Sequence, residues 1–458
     1  MASAYLERSI ESGSNGKTFT YSVWFKLSNL AANHTIIGLS SDNNNTKYIE
    51  ACVKSNHRMD VQLRNGTSGD NGTYLRRRSN RLFRDINAWT HFVLRVDSTQ
   101  ASASDRLRIY FDGVEETSWE DSTGTMPQDY VTDLNNSGAD HRLGRGGGSS
   151  SFYMDGILSH FHLTDGQSYG PDTFGSTDSV TGEWKINTNP GISASNYGTN
   201  GFWILKDDNT GTDHSGNSHN FTTSGTITKT EDNPSNIFCT INPSIGFREG
   251  TGTQHENAPT YSNGNTKYTK SAATWSTQGC TLGASSGKYY WEAKMENNGG
   301  DPRMYVGIVD SQYVNDERGH VTGQTENGVG YNGYNGKVKV SGGTDANYGN
   351  SISAGDVVGC ALDLDNRKIY FSKNGTWQNS GDPTSGSTGT GAAATLTANR
   401  TYIPSFTIHN SGCLANFGNG YFGTNAVSSA GTNASGNGIF EYDVPTGYTA
   451  LSTKGLNT

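Results

Sequence analysis

No stretch of the sequence approaches the run of about 18 apolar residues that a membrane-spanning helix needs, so membrane insertion is not expected. The opening, MASAYLERSIESGSNGK, lacks the basic-then-apolar order of a signal peptide, so export by the ordinary secretory route is not expected either. There is no basic surplus: 34 Lys and Arg stand against 43 Asp and Glu, for a net charge of −9. That balance argues against nucleic acid as a partner. No CxxC pair occurs; Cys52, Cys239, Cys280, Cys360 and Cys413 are scattered, which fits reduced thiols used as small apolar residues. No heptads appear, and no segment keeps a 3.6-residue apolar period over three turns. Apolar residues make up only 32%, which alone would suggest disorder. The 23 Tyr, 17 Phe and 8 Trp exclude that reading. With 59 Gly and many Asn, Ser and Thr, the composition fits a thin two-sheet β core with long polar loops.

At 458 residues the chain is long enough for two or three domains of roughly 150 residues each. Three anchors occur in the same order in both halves. An alternating strand surrounds a Trp in FTYSVWFKLSN (19–29) and GKYYWEAKMEN (287–297). Within the first, Tyr21 and Val23 face away from Ser22 and Trp24. A strand with a central glycine follows, HTIIGLSSD (34–42) and RMYVGIVDS (303–311); such a glycine leaves room for a bulky neighbour or marks a bulge. A hairpin pair closes each module. WTHFVLRVD leads to RLRIYFDG (106–113), and GDVVGCALDLD turns at Asn366 into RKIYFSKNG (367–375). Asp112-Gly113 and Asn374-Gly375 are dipeptides that tolerate the positive φ of hairpin turns. The pattern predicts an all-β protein built of antiparallel sandwiches in tandem.

The second half resembles a SPRY domain, through GKYYWEAKM, YVGIVD, GVGYN, GDVVGCALDLDNRKIYFSKNG and YIPSFTIHNSGCLANFG in family order. The first half is similar to laminin-G-like, concanavalin-type sandwiches, through FTYSVWFKLSN, INAWTHFVLRVDS, RLRIYFDGVEE and FYMDGILSHFHLTDG. These resemblances imply two jelly-roll β-sandwiches, at 1–170 and 246–458. Residues 171–245 form a β-rich connecting segment packed on the sandwiches. The order of AYLERSI, NAWTHFVLRVDSTQASASDRLRIYFDG and DGQSYGPDTFGSTDSVTGEW ahead of a SPRY-like half also resembles surface proteins of tailed phages, marine and cyanophage-like ones in particular. That resemblance implies a protein of the particle exterior, made in the host cytoplasm, in a tail fibre or other appendage. It would be non-catalytic and bind host-surface polysaccharide. The alternative is a capsid or tail decoration protein that binds only other virion proteins; a polysaccharide depolymerase ranks third. A homo-oligomer is expected, and a trimer would suit an appendage.

For catalysis, a glucanase on this fold needs E-x-D-x-x-E on one strand; Glu441-Tyr442-Asp443 is the nearest stretch and lacks the closing glutamate. No catalytic residue is assigned. For ligand binding, the Gly/Asn loop GVGYNGYNGKVKVSGG offers Tyr334 with Asn332 and Asn335, because tyrosine presents a ring face and a hydroxyl to sugars. Tyr331 belongs to a core block. Trp377, just past the second hairpin turn, is the remaining candidate. For docking, YLRRRSNRLFR gathers Arg76, Arg77, Arg78, Arg81 and Arg84, either as a patch for an acidic partner or as an ordinary solvated strand. No cofactor is required, and Ca2+ is the one candidate. Oxygen-rich loops carry Asp42 with Asn43–Asn45, and Asp213 and Asn217 with Asp207 and Asp208. His160 and His162 would project from one strand face roughly 6–7 Å apart, able to share a metal or simply to line a polar face.

Overall fold

In the computed structural model, residues 4–41, 46–66, 73–147, 152–206, 211–247, 259–270, 275–297, 303–314 and 321–457 are described. The chain is nearly all β and divides into two compact units, 1–229 and 230–458.

The N-terminal unit is a sandwich of an eight-stranded and a six-stranded sheet. At the centre of the smaller sheet, Thr18–Leu27 pairs antiparallel with Gly156–Asp165 on one side and Thr90–Asp97 on the other. The period of two decides what goes inside. Tyr21, Val23 and Phe25 enter the core between the sheets with Ile37, Leu39, Phe92 and Leu94. Ser22 and Trp24 turn to the opposite face. There the indole of Trp24 stacks on His91 at 4.9 Å, and Trp184 donates from Nε1 to His91 Nδ1 at 3.0 Å.

The chain after residue 170 completes this sandwich. Phe202–Ile204 adds an edge strand to the six-stranded sheet beside Gly156–Asp165, and Thr222–Ser224 adds one to the larger sheet beside Tyr5–Ser9. The hairpin Gly175–Thr177/Trp184–Ile186 packs outside Trp24 and His91. Residues 230–247 belong to the other unit. Of the connecting segment read from the sequence as 171–245, the first part therefore lies in one unit and the end in the other.

The C-terminal unit pairs a seven-stranded sheet with a nine-stranded one. Lys288–Asn297 lies between Val357–Asp363 and Ser411–Asn416 in the larger sheet. Tyr402–His409, Arg303–Asp310, Val329–Asn332 and Lys337–Val340 are consecutive in the smaller. Trp291, Met304, Val306, Ile308, Phe371 and Phe406 fill the space between.

Both repeated hairpins form, with φ of +51° and +80° at Asp112-Gly113 and +47° and +79° at Asn374-Gly375. The turn expected at Asn366 places Arg367 in the left-handed region, at φ +59°, while Asp363 accepts from Asn366 N at 2.8 Å. Neither central glycine makes room for a bulky side chain. A Cβ on Gly38 would lie 2.3 Å from Arg145 O and one on Gly307 1.9 Å from Val329 O, so it is backbone that passes over both. All five cysteines are buried and unpaired.

Candidate functional site

The hairpin Val329–Asn332/Lys337–Val340 presents the loop Gly333–Gly336 at the margin of the seven-stranded sheet. Asn332 shapes this turn. Its Oδ1 accepts from Tyr334 N at 3.1 Å, its Nδ2 donates to Asp345 at 3.4 Å, and its side chain is buried. Asn335 Oδ1 accepts from Lys337 N at 3.1 Å. These are the local side chain–backbone bonds for which Asn is chosen in turns. They leave Tyr334 as the exposed group, at 52%.

Arg303 opens the neighbouring strand. Alternation sends Met304 and Val306 into the core and turns Arg303 and Tyr305 to the outer face. The guanidinium lies 4.1 Å from the ring centroid of Tyr334 and 6.0 Å from that of Trp275. Trp275 meets Tyr305 edge-on at 5.7 Å and His409 at 4.9 Å. Asp345 is held by Lys339 Nζ at 2.7 Å. Tyr305 is pushed up to about 12, by burial first and then by Asp345, with Arg303 opposing, so its hydroxyl stays protonated. His409, Trp275, Arg303 and Tyr334 thus form one row of planar groups with a single guanidinium cation and a carboxylate beside it. Such a row suits C–H-rich or planar ligands. Tyr334 was visible in the sequence because Tyr331, three residues earlier, belongs to the core; Tyr331 stacks on Phe371 at 5.4 Å. Arg303 and Trp275 were not, although the alternation around Met304 would have placed Arg303 outside.

Trp377 does not join this row. It lies on an edge strand of the other sheet, half-buried, 6.4 Å from Tyr290.

The arginine-rich strand is largely neutralised from within. Arg76 clasps Asp60 with Nε at 3.0 Å, and Arg78 reaches the same carboxylate at 3.1 Å and Glu120 at 3.2 Å. Arg77 points the other way, to the carbonyls of Thr123 and Gly124 at 3.1 Å. Arg81 pairs with Asp112 at 3.4 Å. Arg84 makes no hydrogen bond or ion pair among the described residues.

The metal candidates are engaged by protein groups. Asp213 accepts from Trp203 N at 2.8 Å, Ser215 N at 2.9 Å and His219 N at 2.9 Å, and Asn217 donates to Gly198 O and Gly201 O. Asp42, Asn43–Asn45, Asp207 and Asp208 lie outside the described residues. His160 and His162 do not keep simple alternation. The register shifts between Ser159 and His162, and His160 takes φ +47°. Both histidines are buried; His162 stacks on Trp203 at 4.9 Å and bonds Tyr197 OH at 2.9 Å. Burial pushes His162 well below the usual imidazole range, with His160 and His91 adding to it. Among the described residues no three His, Cys, Asp or Glu side chains gather as a metal would require.

Glu292 is the carboxylate that sequence reasoning missed. It is fully buried and accepts from Glu441 N and Tyr442 N at 2.9 Å, and from Tyr290 OH and Asn416 Nδ2 at 3.1 Å. Burial pushes it up to about 7 against those four donors. Its surroundings are closed, so it anchors the C-terminal segment rather than facing a cleft. Glu441 accepts from Ser428 N at 2.8 Å and Asp443 from Thr432 N at 2.7 Å; both brace loops.

The C-terminal unit carries a SPRY domain, matched over residues 288–420. Residues 2–167 of the other unit match the concanavalin A-like lectin/glucanases superfamily. Over 92 residues the chain is 37% identical to Ran-binding protein 9 of Danio rerio, which covers 20% of this chain and 15% of that protein. Over 124 residues it is 32% identical to Ran-binding protein 9 of Xenopus tropicalis, covering 27% and 22%. The chain therefore spans less than a quarter of the length of these relatives. Among solved structures, the SPRY domain of human HERC1 is 19% identical, covering 38% of this chain and 96% of that one, at a TM-score of 0.28. A human SPRY domain is 16% identical, covering 37% and 94%, at a TM-score of 0.25. The Tyr334 row belongs to the SPRY unit, with Tyr334, Arg303 and His409 inside the matched residues and Trp275 just before them.

Proposed function

We propose that the chain is a non-catalytic binding protein whose SPRY unit holds a ligand against the row formed by Tyr334, Arg303, Trp275 and His409. One observation carries this reading. Tyr334 is more than half exposed, yet its ring already lies against a guanidinium, so a sticky aromatic surface is offered with little side-chain entropy left to lose. For this row we propose a glycan ligand: the exposed ring of Tyr334 offers its face to sugar C–H groups, and the lectin/glucanase superfamily match in the same chain supports a glycan-binding protein. The setting we propose is the exterior of a phage particle, in a tail fibre or other appendage contacting host polysaccharide. The support for it is the sequence resemblance around AYLERSI, NAWTHFVLRVDS and DGQSYGPDTFG. A decoration role, with only other virion proteins bound, is the second reading; the exposed Val114 and Val180 favour it.

The test uses the full chain on glycan arrays and host polysaccharide, with a parallel hydrolysis assay. Binding without release of oligosaccharide, lost in Tyr334→Ser and Arg303→Ala, is the expected result. Released oligosaccharide would overturn the non-catalytic reading, and full binding by both variants would overturn the site.

A further inference from the structure

Among the described residues of the N-terminal unit, the large hydrophobic side chains left exposed are Leu82, Val114, Val180 and Ile227. Three of these four lie around one hairpin turn, Asp112-Gly113. Leu82 lines a cavity together with Asp112, and Val114 follows Gly113 directly. Val180, 91% exposed, tips the hairpin whose Trp184 rests on Gly113, so closely that a Cβ there would come within 2.4 Å of the indole. Single exposed hydrophobics are ordinary; several around one turn mark an interaction surface.

The patch contains both a knob and a hole. Val180 is held rigidly outward, because Asp178 Oδ1 accepts from Val180 N at 2.9 Å and Thr181 N at 2.8 Å. Lys185 Nζ fixes the same carboxylate at 2.8 Å. The hole is a cavity of about 120 Å³ lined by Phe25, Leu27 and Phe83 on its apolar side and by Arg81, Asp85 and Asp112 on its polar side. An apolar cavity of about 150 Å³ can hold a benzene ring, so this one has room for an isopropyl group. Charges flank each part. Arg84 stands at the mouth of the hole and Glu183 beside the knob, and neither side chain makes a hydrogen bond or ion pair among the described residues.

We propose that this end of the N-terminal unit is a face for a second copy of the chain: Val180 of each copy enters the Phe25–Leu27–Phe83 cavity of the other, and Glu183 meets Arg84. Knob and hole adjoin the same turn, so one two-fold axis satisfies both contacts and the assembly closes as a dimer.

Sedimentation velocity on the full chain across a concentration series tests this. A dimer that dissociates on dilution is expected, weakened about tenfold or more by Val180→Asp, as loss of a buried central anchor does. Arg84→Glu and Glu183→Arg should each weaken it, and the two together in one chain should restore it. That rescue separates a contact between copies from a general loss of fold, and circular dichroism confirms that each variant is folded. A chain that stays monomeric at every concentration overturns the proposal, as does a Val180→Asp dimer of unchanged strength.

Discussion

The guanidinium carbon of Arg303 lies over the ring of Tyr334, 4.1 Å from its centroid, on the outer side of the SPRY unit. A cation stacked on an exposed ring contributes only about 0.5–1 kcal/mol to folding. Its larger effect is to fix where the ring points. Tyr334→Ala and Arg303→Ala should therefore change the urea midpoint of the unit little while sharply reducing ligand capture, and Tyr334→Phe should keep most of the capture. Parallel denaturation and binding measurements check this; a loss of stability as large as the loss of binding would refute it.

Glu292 gives the C-terminal unit a pH dependence of unusual sign. Its pKa in the folded chain is pushed up, by burial, to about 7, above its unfolded value near 4.5. Its contribution is then fully present below about pH 4.5 and declines as pH rises toward 7, by an amount on the order of 3 kcal/mol. Urea denaturation between pH 4 and 8, followed by fluorescence of this unit, should show that decline, and Glu292→Gln should flatten it. A midpoint that rises through the window in the native chain would mean that the four donors outweigh burial.

Asp60 is inaccessible to solvent and bound by two arginines. Asp60→Ala removes the buried carboxylate the two cations share and leaves Arg76 only the partly exposed Asp121 and Arg78 only the partly exposed Glu120. A loss of about 2–3 kcal/mol is expected, the scale of hydrogen bonds to charged groups. Arg81→Ala, at a more exposed pair, should cost less than about 1 kcal/mol. Thermal melts of the two variants side by side provide the comparison.

Gly113 is constrained twice, by φ of +80° and by the indole of Trp184. Gly113→Ala should destabilise the N-terminal unit by about 1–3 kcal/mol and shift Trp184 fluorescence to the red. In a Trp184→Ala background the steric part vanishes and only the backbone part remains, so the second cost should be smaller.

The repeated modules were legible because alternation is a local property: Tyr21 and Val23 against Ser22 and Trp24 can be sorted inward and outward from four residues. What covers Ser22 and Trp24 was not legible. The partners, His91 and Trp184, come from far along the chain and are chosen by packing rather than by period. The basic run illustrates the same limit. Its strand character could be read, but the carboxylates that neutralise it, Asp60, Glu120 and Asp112, lie on other elements. At the Tyr334 loop the turn chemistry of Asn332 and Asn335 is local and reads either as backbone bonding or as ligand binding; only the fold chooses the former. His160 was misread as part of a plain strand because nothing nearby in sequence signals a register shift there.

The pairing of Tyr5–Ser9 with Thr222–Ser224 has a mechanical consequence. Tyr5 lies opposite Ser224, so the chain enters and leaves this ladder at the same end. Tension applied through those two ends would peel the ladder open one rung at a time instead of shearing all rungs together. The same closeness lets the unit be spliced into a surface loop of another protein without stretching its host.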